Sequence, residues 1–240
     1  MLSHYMLGFL SCDGSLDKNG STISLQIQAR DVIVLDWLEA ELVELDVHVG
    51  RDERTIGPAS YVRARCHDRA LYERVLELFG SRLKSDRRWP SWATLEFLRG
   101  VWDADGHFSA RRNSIEGEIT HKSIEWLEGV GEFVSKNSGL PVRQIETRKR
   151  GNFRLGLSPN HCRWFRDDVY DELPYLMRKR NALIGFHEPG PGRWWHQSEL
   201  DYLVEHFVPG TSSWRSIAEH LGRSSKSVSK KIWSLGLVNK

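Results

Sequence analysis

The sequence predicts an α+β protein: two pseudo-symmetric αββαββα halves, followed by a small all-α domain of three helices. Three observations carry this. A nine-residue pattern occurs twice, as Met6-Leu7-Gly8-Phe9-Leu10-Ser11-Cys12-Asp13-Gly14 and Leu98-Arg99-Gly100-Val101-Trp102-Asp103-Ala104-Asp105-Gly106, its final aspartates 92 residues apart. Each copy is followed by the same succession of alternating and helical patterns. Beyond a Pro/Gly-rich stretch, Trp195, Trp214 and Trp233 recur every 19 residues, one per short helical pattern.

In the first half, residues 3–13 read as the first motif helix. Asn19-Gly20 is a hairpin turn signal. Residues 21–30 alternate, with Ile23, Leu25, Ile27 and Ala29 inward and Ser24, Gln26, Gln28 and Arg30 outward. Ile33, Leu35, Leu38, Leu42 and Val43 give residues 31–45 a helical period. A second strand pair spans 47–54 and 60–66, with Val62, Ala64 and Cys66 inward and Arg63 and Arg65 outward. A helix over 68–79 closes the half at Gly80.

Residues 81–92 form a basic linker broken by Pro90. The second half then repeats the order: a motif helix over about 91–105, strands over 107–112 and 114–122, a helix over 123–136, strands over 142–150 and 152–157, and a helix over 160–170. Arg65 precedes Arg74 by nine residues, and Arg154 precedes Arg163 by nine. A duplicated unit implies a pseudo-two-fold axis, with the motif helices on it. The domains are therefore 1–80 and 93–186, then a linker over 187–193 and three helices within 194–240. The three tail tryptophans read as core. The Gly222 turn and the lysines Lys226, Lys230 and Lys231 in the last helix fit a helix-turn-helix.

Hydrophobic residues make up 40% of the 240-residue chain, and the formal net charge of +2 does not by itself announce a polyanion partner. The distribution says more. Basic residues gather over 143–154, at Arg178-Lys179-Arg180 and after Glu219, beyond which no acid occurs. Segregated basic surface is the electrostatic footprint of a polyanion ligand. The cysteines Cys12, Cys66 and Cys162 lack CxxC spacing, which excludes a zinc ribbon or disulfide frame and points to a reducing compartment. The apolar run over 5–10 is too short for a signal peptide, and no window approaches a membrane span.

The motifs carry the chemistry. Small residues four apart, Gly8 with Cys12 and Gly100 with Ala104, let two helices approach closely. Each helix ends in Asp-Gly, with glycine suited to the left-handed C′ position. An acid there faces the negative end of the helix dipole. Two such ends side by side repel unless a divalent cation joins them.

The two stretches, with the αββαββα order around each, resemble the paired signature of LAGLIDADG homing endonucleases, over roughly residues 3–186. Tyr175-Leu176-Met177-Arg178-Lys179-Arg180 resembles the basic segment that closes many such domains. The tail resembles a Myb/SANT-like helix-turn-helix.

The resemblance implies a DNA-binding saddle of two four-stranded sheets. It implies a monomer that needs no obligate protein partner and binds double-stranded DNA without a membrane, nucleoid-associated in a bacterial or phage cytoplasm. It implies that Asp13 and Asp105 share Mg²⁺ or another divalent cation such as Mn²⁺, with the carbonyls of Cys12 and Ala104 completing the shell. The resemblance places Arg65 and Arg154 where the family has its catalytic basic residue, with Asp31 and Lys122 or Ser123, at strand–helix junctions, as the polar catalytic partners. The implied DNA contacts are Ser24, Gln26, Gln28, Arg30, Arg63, Arg65, Arg111, Arg112, Lys122, Arg143, Arg148, Lys149, Arg150, Arg154, Lys226, Lys230 and Lys231. The activity implied is a double-strand break in a long, non-palindromic target. The same architecture occurs in non-catalytic LAGLIDADG/helix-turn-helix transcription regulators, which have typically lost the paired acids, and the same fold serves intron-splicing maturases.

Overall fold

Ser3 opens the first helix as its N-cap, its side chain accepting from the Met6 N–H, while its own N–H and hydroxyl donate to Glu41 at 2.7 and 2.6 Å. The computed structural model describes residues 1–17, 20–56, 59–79, 88–111, 114–148, 151–184, 197–208, 214–235 and 237. Most of the basic linker, the 187–193 linker, Trp195 and the Asn19 turn residue lie outside this set. Among the described residues no helix is long and apolar enough to cross a membrane.

The first half runs α1 (His4–Asp13), β1 (Gly14–Leu16), β2 (Thr22–Gln28), a 3₁₀ turn, α2 (Ile33–Glu44), β3 (Val49–Ile56), β4 (Ala59–His67) and α3 (Arg69–Phe79). The second runs α4 (Leu95–Asp105), β5 (His107–Arg111), β6 (Ser114–His121), α5 (Ile124–Ser138), β7 (Glu146–Thr147), β8 (Phe153–Leu157), α6 (Pro159–Trp164), a π-helical turn and α7 (Met177–Ile184). The sheets have matching orders, β1-β2-β4-β3 and β5-β6-β8-β7. The tail forms α8 (Gln197–His206), α9 (Trp214–His220) and α10 (Ser225–Ser234). By contacts the chain divides into two compact units, residues 1–110 with 115–185, and residues 186–240 with 111–114.

Strand alternation becomes sheet sidedness. Ile23, Leu25, Ile27, Val62, Ala64 and Cys66 are buried on one face of the first sheet. The register sets Ser24 opposite Arg65, Gln26 opposite Arg63 and Gln28 opposite Tyr61 on the other. Ile115, Ile119, Leu155 and Leu157 play the inner role in the second sheet. Both motif helices are central: α1 is buried from Tyr5 to Ser11 and α4 from Phe97 to Asp103. Leaving a polar group of such a helix unpartnered is costly, and Ser11 finds a partner by donating to the Gly8 carbonyl at 2.7 Å.

Several sequence expectations are corrected. Ala29 leaves the strand for the 3₁₀ turn and is exposed, because Asp31 two residues on turns inward and is buried. Ile33 and Val43 are 43% and 67% exposed, since the buried stripe of α2 runs through Val34, Leu35, Leu38 and Leu42. Of the strand expected over 142–150, residues 149 and 150 lie outside the described set, and residues 142–148 give only the two of β7, with Pro141, which has no N–H to give a ladder, upstream. No helix is expected between residue 170 and the 187–193 linker, yet α7 lies there, too short for its period to stand out but holding Lys179 and Leu183 buried four apart. In the tail, Leu203, Phe207, Ile217, Ala218, Val228 and Ile232 make the core, with Trp214 packed against it. Trp233 is not core. It is 51% exposed, because it follows the buried Ile232 by one residue and so turns about 100° away from that face.

Candidate functional site

The site begins at the crossing of α1 and α4. A Cβ on Gly8 would collide with the carbonyl oxygen of Phe97, and one on Gly100 with that of Tyr5. Only glycine lets the two backbones meet there, as the small-residue spacing predicts. Downstream of the crossing the helices end in Asp13 and Asp105, with Asp13 half-buried and Asp105 exposed.

The two ends are near copies. Gly14 has φ −72° and ψ 161°, Gly106 φ −73° and ψ 157°. These are extended values, not the expected left-handed ones. The glycines are required for space instead: a Cβ at Gly14 would strike the Leu10 carbonyl, and one at Gly106 the Trp102 indole.

Cys12 lies near both acids. Burial, and after it the neighbouring Asp105 and Asp13 carboxylates, push its thiol well above the usual range. The thiol is neutral, within hydrogen-bond reach of Asp105 and 3.9 Å from the Val101 carbonyl oxygen of the opposite helix. Asp13 and Ala104 also line a cavity of about 230 Å³ with Gln26, Gln28, Arg30 and Tyr61.

Among the described residues, no group of three or more His, Cys, Asp and Glu side chains is arranged to hold a metal ion. That is unlike a zinc or calcium cage. Two carboxylates with neighbouring backbone carbonyls suit an ion that keeps several waters and completes its shell with substrate phosphate, as Mg²⁺ does.

Behind this site lies a polar network that the motifs alone do not reveal. Asp103, fully buried, accepts from the Tyr5 hydroxyl at 2.9 Å, the Tyr170 hydroxyl at 2.6 Å and the Leu176 N–H at 2.6 Å. Burial lifts its carboxyl to about 6 even against these donors. Lys179 donates to the Gly106 carbonyl and, at 3.4 Å, to that of Trp102. Its ammonium thus covers the negative end of α4, offsetting the cost of an acid there. Burial and the adjacent Arg178 bring Lys179 down to about 8. The signals for both residues were present: a second aspartate two before Asp105, and the basic segment 178–180.

The expected polar neighbours are otherwise occupied. Asp31 takes a bidentate pair from Arg178 at 2.7 and 2.6 Å. Ser123 caps α5, accepting from the Trp126 N–H at 3.1 Å. Lys122 is exposed at the turn before α5. Arg65 lies 3.2 Å from Asp52, and Arg154 lies 2.6 Å from Glu118 and 3.2 Å from Glu146.

Of the expected DNA contacts, Ser24 and Gln26 are half-buried on the outer face of the first sheet, and Gln28 and Arg30 are exposed. Arg63 is on the same face, paired with Asp52. Arg143 and Arg148 are exposed in the second half, and Lys226 and Lys230 on α10, where Lys231 is half-buried. Arg111 closes β5 with its side chain outside the described set; Arg112, Lys149 and Arg150 lie outside it altogether.

Residues 92–159 match a family model described as a LAGLIDADG-like domain. No curated protein matches the sequence. Among solved structures, the chain is similar to the homing endonuclease I-DmoI in complex with DNA and Ca, at TM-score 0.56 and 18% identity over 77% of this chain and 96% of that one. Mesophilic variants of I-DmoI give TM-score 0.55 with the same identity and coverage. Full-length DUF199/WhiA from Thermatoga maritima is looser, at TM-score 0.49 and 12% identity over 98% of this chain and 91% of that one, too distant to assign anything. Helix order, paired sheets, the family match and the likeness to I-DmoI agree that the chain adopts the LAGLIDADG fold.

Proposed function

We propose that this protein is a monomeric, metal-dependent, site-specific DNA endonuclease that makes a double-strand break in a long, non-palindromic target. The observation that carries the proposal is the close crossing of α1 and α4 at Gly8 and Gly100, just beyond which the two helices, one from each half, both end in an aspartate, Asp13 and Asp105. I-DmoI, which shares the fold, has been solved with DNA and with Mn, Ca or Mg ions. The retained pair of acids favours an enzyme over a regulator.

In this reading Asp13 and Asp105 hold Mg²⁺ or Mn²⁺, with the Cys12 and Ala104 carbonyls beside them. The ion, when bound, activates water and stabilises the leaving oxygen. Lys179 steadies the α4 end that carries Asp105 and adds positive charge near the phosphate. The outer sheet faces, with Ser24, Gln26 and Gln28, read base edges in the major groove. Lys226, Lys230 and Lys231 on α10 bind DNA as a helix-turn-helix.

The test is incubation with Mg²⁺ or Mn²⁺ and a plasmid library carrying candidate insertion sites. Linear product is expected from the wild type. Asp13→Asn and Asp105→Asn are expected to abolish double-strand cleavage while duplex binding persists. Lys179→Met is expected to slow cleavage by roughly 100-fold, as loss of one oriented charge does. Cleavage that survives both aspartate changes overturns the site.

A further inference from the structure

Four arginines on or beside the outer sheet faces, Arg63, Arg65, Arg148 and Arg154, are already paired with carboxylates of neighbouring strands. In the first sheet, Asp52 of β3 takes Arg63 of β4 in a two-pronged pair at 3.0 and 2.9 Å and Arg65 at 3.2 Å. In the second, Glu146 of β7 takes Arg154 of β8 at 3.2 Å and Arg148 at 3.3 Å, and Glu118 of β6 takes Arg154 at 2.6 Å. The register makes this a repeated device. Asp52 stands directly opposite Arg63, and Glu146 directly opposite Arg154, so in each half a third-strand acid faces a fourth-strand arginine.

We infer that Asp52, Glu118 and Glu146 are specificity-determining residues: they hold these arginines in fixed positions and keep them off the phosphates of non-target DNA. This rests on the DNA-binding reading above. Non-target binding comes from neutralising phosphates and releasing their counterions, so it scales with cationic groups free to reach the backbone. Four arginines sharing three acids offer one net positive charge instead of four. A phosphate nearing Arg63 also meets the Asp52 carboxylate on the same guanidinium. A guanine edge is neutral, and a guanidinium has five donors, of which Asp52 occupies two on Arg63. The clamp therefore penalises backbone contact more than base contact.

Stability does not account for the pairs. Arg63 and Arg154 are each 18% exposed, but the acids they meet are more open, Asp52 at 29%, Glu118 at 37% and Glu146 at 59%, and cross-strand pairs with a solvated partner add about 1 kcal/mol or less. Removing the acids should leave the fold intact.

The test is binding of the full chain to a random-sequence 30-base-pair duplex across a salt series. Asp52→Asn should raise affinity at low salt by roughly 10-fold and steepen the log–log salt slope by about 0.9 for each arginine released. Glu118→Gln with Glu146→Gln should do the same in the second half. Unchanged or weaker affinity, with an unchanged melting temperature, overturns the inference. Combining Arg63→Gln and Arg65→Gln with Asp52→Asn, which removes the arginines and their acid at once and changes the cluster by a single net charge, keeps the test open if an acid variant unfolds. Clamped arginines make this change nearly neutral for the random duplex, whereas a marked loss of affinity and slope overturns the inference. A wild type that binds no duplex overturns the DNA-binding reading itself, a result distinct from the other outcomes.

Discussion

Gly8 and Gly100 face each other's helices at the point where α1 and α4 touch. A Cβ on Gly8 would stand 3.1 Å from the Val101 nitrogen besides striking the Phe97 carbonyl; one on Gly100 would stand 2.9 Å from the Phe9 nitrogen besides striking that of Tyr5. The obstacles are backbone atoms, which no rotamer change can move aside. Gly8→Ala and Gly100→Ala are each expected to destabilise the protein by about 3 kcal/mol, the upper part of the overpacking range. The double variant should cost less than the sum, because one outward shift of the helices relieves both clashes. Urea midpoints measure this, and a midpoint within error of wild type for either single variant refutes the close crossing.

Asp103 gives stability a pH dependence. Its carboxyl goes from an ordinary 3.8 to about 6 in the fold, so the folded state binds the proton more tightly than the unfolded one. The resulting stabilisation is fully present below about pH 4 and is lost as pH rises through 6, amounting to about 3 kcal/mol if the group acts alone. In Asp103→Asn this component is absent. The amide can accept from Tyr5 and Leu176 while presenting its NH₂ to the Tyr170 hydroxyl oxygen. The stability difference between wild type and variant should therefore move in the variant's favour between pH 4 and 6. Urea titrations at several pH values check the slope. A constant difference rules out Asp103 as the titrating group.

What the sequence made legible was whatever repeats locally. The motif pair placed both aspartates at helix ends. Period-two alternation assigned Ser24, Gln26 and Arg63 to one face, because sheet sidedness needs only a neighbour two residues away. The remainder depends on partners distant in sequence. Nothing near Asp31 announces that Arg178, 147 residues on, will take its carboxylate, and nothing near Gly106 announces the Lys179 ammonium. Trp233 misled for a related reason: the 19-residue interval is a fact about spacing, while exposure is set by the face of α10 on which a residue lands. Gly14 and Gly106 were placed well for the wrong cause, since the crowding comes from Leu10 and Trp102 within their own helix turns.

The tail holds its own ion pair, and it differs in kind from those on the sheets. Arg223 donates to Glu199 at 2.9 and 2.7 Å, with side chains 2% and 9% exposed. Glu199 lies in the first turn of α8 and Arg223 in the turn before α10, so the pair ties the ends of that small unit together. Glu199→Ala would leave a buried guanidinium without its carboxylate, costing about 3–5 kcal/mol. A small unit has little more than that in reserve. Trp233→Ala removes an exposed ring and should cost no more than about 0.5 kcal/mol. In calorimetry of the full chain, Glu199→Ala is expected to remove or sharply lower the transition of the C-terminal unit and leave that of residues 1–185 in place. Trp233→Ala should leave both unchanged. If Glu199→Ala also leaves both unchanged, the pair is as weak as a surface one and its burial does not govern the folding of the tail.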